Sequence, residues 1–195
     1  MRNLFFVAAA LAIATPASAQ TAVPANNAEM AAIFEADQAI RQRFMKEGFS
    51  QELAKEMFSG DIARRARTKG LLDSGALRTG DDYRSAAFVF QHGDKPEDFL
   101  LAHTLAVVAA ARGRSDATWI AAATLDRYLQ EIGQKQIYGT QYTTPEGGAT
   151  TLEPYDRTLI SDALRQAMRV PTQAEQEKRL QGMAARRKAQ TAVTK

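Results

Sequence analysis

The stretch FLLAHTLAVVAAA, from Phe99 to Ala111, decides the fold class. It is apolar apart from His103 and Thr104, and its leucines and alanines are strong helix formers uninterrupted by proline or glycine. A helix that is apolar on nearly every face is buried all round, so this segment is expected to be the hub of the fold. Pro96-Glu97-Asp98 opens it and Gly113 ends it. On its C-terminal side, Ala117 to Ile132 predicts a second helix with Ala121, Leu125, Tyr128, Leu129 and Ile132 on one face. On its N-terminal side, Thr79-Gly80-Asp81-Asp82 leads into a helix from Tyr83 to Gln91, closed by Gly93 at the C′ position.

Further out, Met30, Ile33, Ala36, Ile40 and Phe44 recur at helical intervals, so 28–47 predicts an amphipathic helix, with capping-box spacing between Asn26 and Glu29. Ser50 can cap a short helix that stops near Ser59-Gly60, and Asp61 can cap another that ends by Gly75. Residues 133–155 break the helical rhythm. Ile137, Tyr138, Thr140 and Tyr142 to Thr144 are β-formers around Pro145-Glu146-Gly147-Gly148, which predicts a small β-hairpin or an ordered loop near 136–152. Asp156 to Met168 returns to helix, with Leu159, Ile160, Ala163, Leu164 and Ala167 as its apolar face. After Pro171, Thr172 and Glu175 form a capping box before a polar helix, and the last five residues are expected to fray. The expected fold is mainly α, a compact multi-helix array carrying that one hairpin or loop.

Residues 1–19 read as a signal peptide. Arg2 supplies the positive start, Leu4 to Thr15 the apolar run, and Ala17-Ser18-Ala19 the small-residue cleavage pattern. The run is too short for the roughly 20 residues of a bilayer span. The organisation is then a 20–27 linker, a 28–170 helical domain and a 171–195 polar helix and tail. Cleavage near Ala19 implies a periplasmic or secreted product. The chain has no cysteine, which excludes disulfides, lipoprotein anchoring and thiolate chemistry.

The 195 residues carry a net charge of +3, too balanced to imply nucleic acid. Arg64, Arg65, Arg67 and Lys69, and Arg186, Arg187 and Lys188, are interleaved with acids such as Asp61 and Glu175 and read as solvated helix faces. No P-loop, GxGxxG, GxSxG or HExxH occurs, so no metal or cofactor is expected. The two histidines are therefore the main candidates for chemistry. His92, in Gln91-His92-Gly93-Asp94, stands at a helix C-terminus, where an imidazole complements the dipole or serves as a base. His103 shares a face with Phe99, Leu100, Ala106, Val107 and Ala110 and is expected to be buried, so it needs partners for its ring nitrogens. Asp126 either orients His103, as in a catalytic dyad, or forms a structural salt bridge with an arginine.

The order AAFVFQHGD (86–94), AATLDRYL (122–129) and GQKQIYGTQ (133–141) resembles a bacterial family of exported, uncharacterised proteins, a domain of unknown function. That family's pattern is Gln-His, then Asp-Arg in a helix, then Gln-x-Tyr-Gly-Thr-Gln. The resemblance covers about half of the chain beyond the signal peptide. It implies that His92, Asp126, Arg127, Gln136, Tyr138, Thr140 and Gln141 belong to one unit, and names no activity. Such a loop can satisfy buried polar groups or line a pocket, so Arg127, Gln136, Tyr138, Thr140 and Gln141 are candidate ligand-binding residues.

Two functions fit. The first is an exported binding or interaction module whose polar cluster is a structural network and whose partner is an envelope protein or a small molecule. The alternative is an envelope hydrolase with His92 or His103 as base and Asp126 as orienter.

Overall fold

The computed structural model describes residues 24–146 and 148–193, so the signal-peptide reading, the start of the linker and the last two residues lie outside it. Seven helices are found among the described residues: α1 Ala28–Glu47, α2 Gln51–Asp73, α3 Gly80–Phe90, α4 Pro96–Ala111, α5 Ala117–Glu131, α6 Asp162–Ala167 and α7 Gln173–Val193. None is long and apolar enough to cross a membrane.

Helix α4 is the hub, packed between α3 and α5, while α1 and α2 lie against α3 and each other. Small side chains allow this close approach: Ala86, Ala87, Ala102, Ala106, Ala109 and Ala117 are all fully buried, around Phe90, Leu105 and Ile120. The hub is nevertheless not buried all round. Leu100 is 41% and Val107 48% exposed, on a stripe with Thr104, because among the described residues no element covers the side of α4 away from α3 and α5. His103 stands beside that stripe and is half-buried rather than buried.

Local signals set most of the boundaries. Ser50 Oγ accepts from the Leu53 amide at 3.1 Å, and Thr79 and Asp82 form a reciprocal capping box at the start of α3. The cap of α1 is Asn27, whose Oδ1 accepts from Met30 at 2.9 Å; Asn26 instead donates to Asp81. The expected break at Ser59-Gly60 does not occur, and α2 runs through it. One interior glycine costs about 1 kcal/mol. Burial of Leu53 and Leu71 and the packing of Asp61 against α1 outweigh that, so Asp61 is an interior residue and not a cap. In α5 the buried face is Ala117, Ile120 to Thr124 and Asp126, while Ile132 is exposed.

Of the two options for 136–152, the ordered loop is the observed one, with isolated bridges Gln136–Tyr155 (parallel) and Thr143–Thr151 (antiparallel). The helix expected from Asp156 begins only at Asp162. Asp156 Oδ1 accepts from the amides of Thr158 and Leu159, a local turn that competes with helix. The expected apolar face is consequently exposed at Leu159 and Leu164, and the side chain that α6 buries is Arg165. Thr172 and Glu175 do cap α7.

Candidate functional site

The three sequence signatures meet at the end of α5. Asp126 is fully buried, and its carboxylate gathers the loop around itself. Oδ1 accepts from the amides of Ile137 (2.8 Å) and Tyr138 (2.9 Å); Oδ2 accepts from the amide (2.9 Å) and hydroxyl (2.8 Å) of Thr140. A carboxylate offers roughly four acceptor sites, and four donors fill them. Asp126 therefore neither orients an imidazole nor pairs with an arginine, in contrast to both roles expected of it. The reason is geometric: a tight loop exposes several amides that no ladder satisfies, and a buried anion can satisfy them together.

Gln136 and Gln141 close the same loop on itself. Gln136 is fully buried; its Oε1 accepts from the Gln141 amide at 3.0 Å and its Nε2 donates to the carbonyls of Gln141 and Leu152. Gln141 Nε2 donates to Ala123 at 3.0 Å, and its Oε1 accepts from Arg127 Nε and Nη2, both at 3.1 Å. Arg127 then reaches α3, donating to the Gln91 carbonyl at 2.6 Å and lying over the Phe99 ring. Gly139 has φ +76°, and a Cβ there would lie 2.4 Å from Gln176 Oε1 and 2.7 Å from the Tyr155 ring, so only glycine fits. Gln176 of α7 donates to the Tyr138 carbonyl at 2.7 Å, and the Tyr155 hydroxyl accepts from Arg165 of α6 at 3.0 Å. The loop is thus an interior keystone that joins α3, α5, α6 and α7. The five candidate ligand-binding residues have their polar groups directed into it, apart from the half-buried Tyr138 ring.

Neither histidine joins Asp126. His103 Nδ1 lies 2.9 Å from the Ala121 carbonyl, a bond that fixes the proton on that nitrogen. His92 lies on the other side of α3, where its Nε2 is 3.7 Å from Asp37 Oδ2 of α1. Around that pair, Arg41 Nη2 donates to both carboxylate oxygens of Asp61 at 2.9 Å, and Arg64 donates to Asp61 at 2.6 Å. Burial first, and then the positive charge of Arg41, lowers the His92 pKa from 6.5 to about 3, so the ring is neutral at neutral pH. Burial raises the Asp37 pKa, against the opposing pull of Arg41, Gln38 and Arg64. A neutral imidazole cannot complement the α3 dipole. That task falls to Arg65 and Arg127, which donate to the carbonyls of His92 and Gln91, both at 2.6 Å.

This ionic crevice is the constellation that sequence reasoning missed. Its only advance signal is the spacing of Asp37 and Arg41, one turn apart on α1. The basic run of α2 divides accordingly. The side chains of Arg64 and Arg65 are only 15% and 11% exposed, whereas Arg67 and Lys69 are the expected surface pairs, with Glu29 and Asp73. Among the described residues no cluster of three or more histidines and carboxylates could hold a metal ion.

No family model, no curated protein and no solved structure matches this chain.

Proposed function

We propose that this protein is exported across the bacterial inner membrane and works as a binding or interaction module, with the Gln-x-Tyr-Gly-Thr-Gln loop as its interior scaffold. The carrying observation is the Asp126 carboxylate, whose acceptor sites are all occupied by the loop. Export rests on the charged start, apolar run and Ala-Ser-Ala pattern of residues 1–19. The hydrolase alternative would have to run without Asp126, on His103 held by the Ala121 carbonyl or on His92 with Asp37. An imidazole protonating only near pH 3 is a weak base for that chemistry.

Two measurements test this reading. N-terminal sequencing of the protein from the periplasmic fraction is expected to begin at Gln20; retention of residues 1–19 in the cytoplasm defeats the export half. The purified protein is then assayed on ester, phosphoester, peptide and glycoside substrates beside His92→Gln, with in-cell cross-linking in parallel. Discrete cross-linked species without turnover are expected. Turnover that disappears in a folded His92→Gln protein would instead establish the hydrolase.

A further inference from the structure

Between the end of α6 and one face of α7 runs a trough of about 730 Å³. The α7 residues lining it fall at 175, 178, 179, 182, 183 and 186, a single helical face. At 1.5 Å per residue that face is ~16 Å long. Its charge is one-sided: Lys178, Arg179 and Arg186 on α7 face Arg169 on the opposite wall. The one acid, Glu175, is committed to the cap, where Oε2 accepts from the Thr172 amide (2.8 Å) and hydroxyl (2.9 Å). Elsewhere most arginines meet carboxylates, as Arg41, Arg43, Arg84, Arg114 and Arg157 do, and Arg112 and Arg127 instead donate to backbone carbonyls. Among the described residues none of the four trough cations lies within ion-pair distance of one.

Two further features mark the walls of the trough. Arg169 has φ +57°, the left-handed conformation that closes α6 and that glycine adopts without strain. The chain keeps a guanidinium at a backbone position that disfavours any side chain, and its Nη2 donates to Ser115 Oγ at 3.2 Å, which ties this wall to the helical body. On the facing helix, Gly182 sits in mid-helix, where a Cβ would meet nothing within 4 Å. Internal packing does not require it, yet it lets a foreign backbone come close. Beside it Met183 is 40% exposed, a deformable apolar contact.

Resting on the binding-module reading above, we propose that this trough docks an acidic peptide segment of a partner protein. Three of the four cations are arginines, whose planar forks match carboxylates. They stand on two facing walls, so an inserted chain can reach both, whereas a flat anionic bilayer meets only the rims.

The test uses the full chain and a fluorescent acidic peptide of about eleven residues, long enough as a helix to fill ~16 Å. Fluorescence anisotropy is expected to show saturable binding that weakens as salt shortens the ~10 Å screening length. Arg169→Gly is the decisive variant: it relieves the backbone while removing the guanidinium, so thermal stability should hold or rise while affinity falls about tenfold. Gly182→Leu should also weaken binding, with the charge unchanged. The proposal is overturned if a glutamine version of the peptide binds equally well, or if Arg169→Gly binds like the wild type. Phosphatidylglycerol vesicles that bind where the peptide does not overturn it too. If the peptide fails while in-cell cross-links survive Arg169→Gly, only the trough is wrong; turnover lost in His92→Gln would defeat the broader reading.

Discussion

Asp126 and Asp37 are both fully buried carboxylates, and they are solved in opposite ways. Asp126 sits under a loop and is satisfied by three amides and a hydroxyl, all neutral. Asp37 sits between helices, whose own amides are already bonded, so only side chains remain to meet it. Gln38 Nε2 donates to it at 2.8 Å, Arg41 lies 3.1 Å away and Arg64 3.6 Å away, and the nearest imidazole faces it without a hydrogen bond. Buried charge in a loop therefore organises backbone, whereas buried charge in a helical array has to import other charges. The first arrangement is rigid and specific; the second leaves groups whose ordinary titration is displaced.

The comparison can be broken most directly at Asp126. Asp126→Ala leaves three buried amides without an acceptor, at 1–3 kcal/mol each, so a loss of about 4–5 kcal/mol is expected in urea unfolding. A loss below about 1 kcal/mol would mean that the loop holds itself. Gly139→Ala comes next, at about 2–3 kcal/mol, from the left-handed φ and the contact with Gln176. Its thermal unfolding should show the loss with the helical circular dichroism unchanged at low temperature.

The ionic crevice should respond to pH. His92 stays neutral in the fold down to about 3, whereas an unfolded imidazole protonates near 6.5. Between those values the unfolded chain binds more protons, so stability falls as pH is lowered, by at most about 1.4 kcal/mol per pH unit. The raised pKa of Asp37 acts in the opposite direction above the ordinary carboxylate range, because there the folded state holds the proton more tightly. From pH 7 to pH 5 the unfolding free energy should thus fall further, or rise less, in the wild type than in His92→Gln; equal slopes would remove His92 from the account. The smallest effect is expected at Asp37→Asn, within about 1 kcal/mol of wild type, since the charge removed is a desolvated one and Arg41 and Arg64 both keep Asp61 as their carboxylate. A loss as large as that of Asp126→Ala would erase the contrast between the two carboxylates.

Much of the frame is legible in the chain alone. Ser50 and Thr172 cap the helices they were expected to cap, and the 99–111 run is the hub, whereas Thr79 opens α3 three residues before the expected start. The residues of the Gln-x-Tyr-Gly-Thr-Gln segment assemble with Asp126 and Arg127, but His92, expected in the same unit, faces Asp37 instead. Less legible was what a single local rule could not decide. Gly60 looks like a helix stop until Asp61 is seen packed against Arg41, and Leu159 reads as helix until Asp156 captures the amides ahead of it.

What the sequence by itself determined, then, is that the chain is a helical array, and where most of its helices are capped. Those outcomes depend on contacts within about four residues, so the chain carries them locally. Only the tertiary structure decided which buried group meets which. Asp37 faces His92, Arg127 reaches Gln91, and Asp126 holds the loop, because the array brings particular helix faces together across long stretches of chain. Side-chain partners are a property of that assembly and of the desolvation it imposes.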